Sequence, residues 1–420
     1  MWVANKFNML LSTLRNNLKI KKIALYLVIG SMFLYTFSIP SFSGREKIYL
    51  VSYALMALFA GATIFYVFVY DKFSFQKRHL VPVLFVFEAL IGTAIFSHDF
   101  RRWISILLMV ITLFVYYFAF CSINKSRLSL KIIIFAFLLF SIYFMFVYRN
   151  QIIHLQMDDR IGVYFDNQNA VGSYFSLAFA ASTYVAIIFE KKRDLFYLIP
   201  SAIFGLCGIF TGSRTFIVLV IVSISVILFI RFRTRKWLFL IIYAALIGLF
   251  FIVINFPIFA TLKLRVDQML YTLFGIGNSK VDHSSIQRVL WQRYGYYLGS
   301  RNILFGYGCE GFSIYSGIGT YSHSNFSEVL CNFGIIGFVL FYSCYLIPFL
   351  HCFGGKEKDR FVVTVFVIYY LFKGFFGVSY YYKESYLVIA LCMYLTKDSS
   401  VASLFKRHTA VANDYYEVYI

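Results

Sequence analysis

Few side chains here combine the type and spacing that chemistry needs. Gly306-Tyr-Gly-Cys-Glu-Gly311 matches G-x-G-x-x-G letter for letter. A dinucleotide fingerprint must follow a strand and open a helix inside a βαβ unit. Nothing around this run fits that, so its glycines, Gly306 and Gly308 among them, read as tight turns that let backbone approach a ligand or another helix. Arg214, Arg288 and Arg160, with Arg293 as a neighbouring alternative, carry planar, permanently charged forks suited to phosphate oxygens. Each would serve equally as a solvated or headgroup-seeking arginine. His323, followed by Ser324, Asn325 and Glu328, offers an imidazole able to take a hydroxyl proton near neutral pH. The plainer reading is a loop histidine bonded to backbone. His98, His154 and His283 stand in no motif. The acids expected outside a membrane (Glu46, Asp99, Asp158, Asp159, Asp166, Asp267, Asp282, Glu310, Glu328, Glu384) form no D-x-D, and no histidine pair has ligand spacing. Asp158-Asp159 reads as a turn, and no metal is expected.

The elements that must position these groups are membrane helices. Of the 420 residues 60% are hydrophobic and 14% charged, and aromatics reach 21%, which excludes a soluble chain and a disordered one. Twelve apolar runs read as spans, near 23–40, 48–70, 80–97, 103–123, 128–148, 169–189, 195–211, 215–230, 237–256, 333–351, 361–376 and 386–395. With the N-terminus inside, the segments facing the cytoplasm hold 24 of the 39 Lys and Arg residues, as the positive-inside rule requires. Both termini are therefore expected in the cytoplasm. The net charge of +20 reads as a topology signal and a contact for anionic headgroups, and nucleic acid is not expected as a partner. No cleavable signal peptide is expected, because the first apolar run is a full span without a small-residue cleavage site. Cys309 and Cys331 are the two cysteines that fall outside, either as a disulfide or as two thiols.

The expected organisation is a basic lead-in at 1–22, spans one to nine over 23–256, an external loop at 257–332, spans ten to twelve over 333–395, and a cytoplasmic tail at 396–420. The loop is too long for a mere connector. Its stretch 284–298 is helix-like, with Ile286, Leu290 and Tyr294 on one side and Arg288, Trp291 and Gln292 on another, as in a helix lying on a membrane face. Glu88 falls within the third span, where a carboxylate is costly, but nothing else there supports a proton relay. Lys373, near the end of the eleventh span, reads as snorkelling to headgroups.

Several of these residues together resemble the O-antigen ligase and O-antigen polymerase family. His323-Ser324, nine residues, then Gly334-Ile-Ile-Gly337 is similar to the H-[NSQ]-x9-G-x-x-[GTY] spacing associated with the ligases. Arg288, ten residues, then Gly299 is similar to the R-x10-G pattern of some polymerases. Arg160-Ile-Gly-Val-Tyr-Phe-Asp-Asn-Gln-Asn169-Ala-Val-Gly172 looks like the family's R-x-G-x-F-x-N-x-N-x-x-G, with Asp166 and Gln168 departing from it. Thr211-Gly-Ser213-Arg214-Thr215 looks like its S-R-[TG] element. The resemblance runs in order over about 160–340.

It implies an all-α, GT-C-like integral membrane glycosyltransferase of a bacterial cytoplasmic membrane, with about 12 transmembrane helices and its active site facing outward. It would work without metal or other cofactor. The implied donor is a polyprenyl-diphosphate-linked glycan, with a glycan acceptor, membrane lipids, a flippase and a chain-length regulator as partners. In that setting Arg214, Arg288 and Arg160 would bind the pyrophosphate and His323 would assist the attacking hydroxyl. Asn169, Ser213, Ser324, Asn325, Glu328, Gly306 and Gly308 would support them. A polymerase is preferred, because polymerases are many and diverse; a ligase delivering finished glycan to lipid A core is the alternative. A lipid-linked oligosaccharide flippase is third: transporters place substrate groups at mid-membrane in two repeated halves, whereas here the motif-bearing residues gather on one face.

Overall fold

The computed structural model describes residues 17–42, 49–70, 76–154, 161–189, 192–256, 260–275, 283–354 and 356–399. Arg160, the Asp158-Asp159 pair, Glu46, Asp282, most of the basic lead-in and nearly all of the tail lie outside them. Among the described residues every regular element is helical, and helices form over all twelve expected runs. Nine stretches among the described residues are long and apolar enough to cross a membrane. The protein is an all-α integral membrane protein.

The chain divides into two compact units. The first comprises residues 1–74 and 118–289, the second residues 75–117 and 290–420.

In the first unit, α1 (Leu18–Ser41) packs on α2 (Tyr49–Tyr70). It also packs on α5 (Ser126–Ile153), which follows α4 (Phe100–Ile123), a helix whose last turn belongs here. At the centre runs α6 (Gln168–Ile188), touching α5, α7 (Leu198–Phe210) and α8 (Arg214–Arg231). The sequence of α6 explains its place: Gly172, Ser173, Ser176, Ala178, Ala180, Ala181, Ser182 and Ala186 are small, so neighbouring backbones come close, and nearly the whole helix is buried. Its hydroxyls are satisfied within the fold. Ser173 donates to the Ala170 carbonyl, Ser182 to that of Tyr197, and Thr183 to Ser201. Phe140, Phe144, Phe165 and Phe175 stack into one cluster that seats the 162–166 turn before α6. Helices α9 (Lys236–Val253) and α10 (Ala260–Phe274) follow, and α11 (His283–Arg301) begins in this unit and ends in the second.

The second unit is built on α13 (Asn325–Cys352), which touches α3 (Leu80–Gly92), α12 (Gly311–Ser316), α14 (Glu357–Phe376) and α15 (Lys383–Leu395). It starts eight residues before the expected tenth span, so the His323 motif leads directly into a helix. The helix is broken at Gly334, where φ is 59° and ψ −165°. Residues 303–308 lie along the break. Tyr307 and Gly308 donate to the carbonyls of Cys331 and Asn332, and Ile335 and Ile336 donate to those of Ile303 and Leu304. The polar backbone freed by the kink is thus paired, as helices in membrane proteins require.

The glycine pattern makes this possible. A side chain on Gly306 would meet Asn332 and Gly334 backbone at 2.5 Å, one on Gly308 would meet Gly92 and Thr93 backbone at 2.6 Å, and one on Gly334 would strike the Leu304 carbonyl. All three have positive φ. The G-x-G-x-x-G run is therefore a helix-packing device, which removes the dinucleotide reading. The paired Gly337 serves a different neighbour: any side chain there would collide with the carboxylate of Glu88, which is buried in α3.

Two expectations change here. On α11 the packed side is Gly295, Leu298 and Gly299, with Trp291 and Gln292 beside it, while Ile286, Leu290 and Tyr294 are exposed. The apolar stripe faces away from the protein because the glycines let α11 approach α13 through its bare side: a Cβ on Gly299 would lie 3.2 Å from the Cys331 amide. Lys373 does not snorkel. It is 4% exposed and pairs with Glu384 at 2.6 Å, its ammonium lying near the Tyr370 and Tyr382 rings.

Candidate functional site

Two clusters hold the predicted residues, one in each unit. In the first, the turn between α7 and α8 is fixed by short polar contacts. Ser213 caps α8 by accepting the Phe216 amide at 3.3 Å, and its hydroxyl donates to Asn169 Oδ1 at 3.2 Å. Asn167 caps α6, accepting the Asn169 amide at 2.9 Å. Gly172 is small because Ser213 sits where its Cβ would be, 2.7 Å away. The asparagine and glycine of one motif thus dock the serine of the other.

Arg214 is then the first residue of α8, half-buried. A cation there opposes the helix macrodipole, which favours anions at the N-terminus. A residue chosen for stability alone would not be basic. Arg214 Nη2 donates to Ser284 Oγ at 3.3 Å, and Arg288 lies one turn beyond Ser284 on the same side of α11. Ser284, which the sequence did not single out, thus joins Arg214 to the side of α11 on which Arg288 stands. Arg293 is exposed and five residues on from Arg288, on another side.

In the second unit His323 has φ 63°, unusual for a residue other than glycine. Its imidazole lies on the Trp291 indole, centroids 5.2 Å apart and planes within 16°, and the Tyr321 ring is 4.4 Å away. Gln292 donates to the His323 carbonyl at 3.4 Å. The other motif side chains bind the protein itself. Ser324 donates to the Gly374 carbonyl at 3.1 Å. Asn325 accepts the Ser379 and Tyr380 amides at 2.8 and 3.0 Å and donates to the Tyr342 hydroxyl. Buried Glu328 accepts the Ser322 amide at 2.6 Å and the Asn332 side chain at 3.2 Å. Ser324, Asn325 and Glu328 are clamps. They set the turn in which His323 is strained, and His323 remains partly exposed.

Residues that the sequence reading passed over also gather here. Arg102 Nε pairs with Glu310 Oε1 at 2.5 Å, and its guanidinium lies 4.8 Å from the centre of the Tyr381 ring. Burial, then the charge of Glu328 and the phenol of Tyr321, hold the Tyr381 hydroxyl above its ordinary range. Burial likewise raises Tyr380 well above its usual value and pushes the Cys309 thiol up to about 12. A thiol that stays protonated is no nucleophile, and Cys309 and Cys331 are both free, buried cysteines. Glu310 was visible only as one acid among ten; its positive φ of 59° has no sequence signal. Among the described residues no three His, Cys, Asp or Glu side chains converge as a metal site.

Residues 199–342 match the family model described as O-antigen ligase. The match takes in Ser213, Arg214, Arg288, both glycines of the packing device and the whole His323 motif; Asn169, Arg102 and Tyr381 lie beyond it. No curated protein matches the chain. With its multiple apolar helices the protein is a multi-pass membrane protein, and over residues 199–342 it is similar to the O-antigen ligase domain, which supports glycosyl transfer as the class of reaction.

Proposed function

We propose that the protein polymerises polyprenyl-diphosphate-linked oligosaccharide repeat units at the outer face of a bacterial cytoplasmic membrane, without metal or other cofactor. The observation that carries this reading is Arg214 at the start of α8, joined through Ser284 to the side of α11 that bears Arg288. Two guanidinium groups suit a diphosphate because each can bind two oxygens of one phosphate and neither loses its charge. Arg160 would join them.

In the reaction the acceptor hydroxyl oxygen forms a bond to the anomeric carbon of the donor glycan. The bond from that carbon to the diphosphate oxygen breaks, and polyprenyl diphosphate leaves with the electron pair. The arginines offset the charge that develops on the leaving group, and the hydroxyl proton passes to the His323 imidazole. Ser324, Asn325 and Glu328 keep that imidazole in place. The growing chain and a new lipid-linked unit are the two substrates, and a flippase and a chain-length regulator are the expected partners. The 24 basic residues of the segments read as cytoplasmic, the two terminal segments included, support an orientation with both chain ends in the cytoplasm.

A ligase that transfers finished glycan to lipid A core is the second reading, favoured by the family description and by the His323-to-Gly337 spacing. Deleting the gene and separating the surface glycans on a gel distinguishes them. Single repeat units on the lipid acceptor mean a polymerase; undecorated core with long undelivered chains means a ligase. Arg214→Ala should lower turnover by orders of magnitude at normal membrane level, and Arg214→Lys should restore only part, since the point charge returns without the fork. Full activity in Arg214→Ala would remove the diphosphate role.

A further inference from the structure

We propose that Arg102, Glu310 and Tyr321 form a subsite for the attacking sugar of the acceptor glycan, beside His323. The inference rests on the glycosyl-transfer reading and adds to it the place where the acceptor binds. If His323 receives the hydroxyl proton, the sugar bearing that hydroxyl must lie against the imidazole. Tyr321 is the ring 4.4 Å away on one side and Trp291 is stacked on the imidazole at 5.2 Å. Beyond Tyr321 comes Tyr381, close enough for the two phenols to influence each other, and on the Tyr381 ring lies the Arg102 guanidinium, paired with Glu310.

These groups have the chemistry of pyranose recognition. A carboxylate accepts from two neighbouring hydroxyls, a guanidinium donates to ring and hydroxyl oxygens, and an aromatic face covers the C–H face of the sugar. The pair is built to stay in place yet remain reachable. Arg102 keeps 37% of its side-chain surface and Glu310 21%. Behind them the structure is closed: Cys309 and Tyr380 are fully buried, and the Cys309 amide donates to Thr93 Oγ1 at 3.1 Å. Gly308 holds the loop against Gly92 and Thr93 with no room for a side chain. Glu310 therefore adopts its positive φ because the loop before it is pinned, and such strain is retained where a side chain must point in one direction. Arg102 is oriented from the other side by the Tyr381 ring, a cation–π contact. His323 and Glu310 are two of only four residues other than glycine with positive φ among the described residues.

The test uses the full-length protein in nanodiscs and two probes that lack lipid and diphosphate. One is the repeat-unit oligosaccharide released by mild acid from the strain's lipid-linked precursor, the other the delipidated core oligosaccharide of the same strain. Neither can use the diphosphate contacts, so binding, followed by tryptophan fluorescence, reports glycan contacts alone. The probe that binds wild type should bind about tenfold or more weakly to Glu310→Gln, to the Arg102→Gln/Glu310→Gln pair and to Tyr321→Ala, the scale of losing a charged hydrogen-bond partner. Arg214→Ala should bind it as wild type does. Affinities within twofold of wild type in all three variants, or no binding of either probe to wild type, would overturn the subsite. A variant that misfolds is replaced by Arg102→Lys, which keeps the ion pair and loses the fork. Turnover of lipid-linked donor by His323→Ala is measured in parallel. An inactive His323→Ala with unchanged probe binding in the subsite variants removes the subsite and leaves the glycosyl-transfer reading standing, whereas a fully active His323→Ala removes that reading itself.

Discussion

Ser213 and Ser324 each stand just before a helix and just before or within a motif, yet they do opposite things. Ser213 caps α8 with its own hydroxyl, three residues from the amide it accepts. Ser324 stands at the N-cap of α13 but turns its hydroxyl to the Gly374 carbonyl, 50 residues away in sequence. In the second unit the buried carboxylate of Glu328 reaches back to the Ser322 amide, and Asn325 holds two amides of the 377–382 loop. The first turn is capped locally and has one distant link, to Asn169 on α6. The second is tied to distant segments, and the residue it leaves over is a strained histidine. A locally capped start can present a cation against the helix dipole at a cost of less than about 1 kcal/mol; a strained backbone costs about 1 to 3 kcal/mol and needs the surrounding clamps to persist.

The largest expected effect tests whether the strain serves chemistry. His323→Ala should lose about 10² to 10⁴ in turnover, the usual contribution of a positioned base, and should still bind lipid-linked donor as wild type does. Donor binding is measured by retention of radiolabelled precursor on the purified protein. Lost donor binding with preserved turnover per bound donor would make His323 a ligand contact instead of a base.

Next in size is Asn325→Ala. Two buried amides and a tyrosine hydroxyl lose their partner, each orphan costing about 1 to 3 kcal/mol. A clear drop in melting temperature in nanodiscs is expected, with activity falling alongside it. An unchanged melting temperature would mean the distant tie is not what holds the second turn.

Ser213→Ala gives the contrasting result for the local cap. Losing a serine N-cap costs about 0.5 to 2 kcal/mol, so the melting temperature should fall less than for Asn325→Ala. If it falls as far, the first turn depends as much on its link to Asn169 as on its own cap.

This contrast also explains what was legible in the sequence. Apolar runs specify helices through composition alone, so a helix stands on each of the twelve runs, and nine of these among the described residues are long and apolar enough to span a membrane. The Ser213-Arg214 turn was readable because its cap lies within three residues and because Asn169 and Gly172, which dock it, stand in a second short motif. The early start of α13 was not, because polar Asn325, Ser327, Glu328 and Asn332 hide a helix whose polar groups are met by tertiary partners. The G-x-G-x-x-G run misleads for the same reason: what Gly306 and Gly308 avoid is backbone at Asn332 to Gly334 and at Gly92 and Thr93. Lys373 looked like a surface lysine because its partner, Glu384, lies across a turn on the next helix. The Arg102 and Glu310 pair joins residues about two hundred positions apart, a juxtaposition that no local pattern encodes.

The smallest effect concerns Ser284, the link between the two arginines of the first unit. Its hydroxyl accepts from Arg214 at 3.3 Å on an exposed surface, so the bond itself contributes little to stability and Ser284→Ala should melt as wild type does. If Arg214 and Arg288 serve one diphosphate, the serine sets the direction of the Arg214 fork, and losing one long, exposed hydrogen bond of about 0.5 to 1.5 kcal/mol corresponds to a two- to roughly tenfold change. The change should appear in KM for the lipid-linked donor and leave kcat nearly intact, because ground state and transition state would lose the same alignment. The conservative Ser284→Thr, which keeps the hydroxyl, should recover most of the difference. If Ser284→Ala and wild type share the same donor KM while Arg214→Ala is inactive, Arg214 acts without the serine, and the bond in the first unit is only a surface contact.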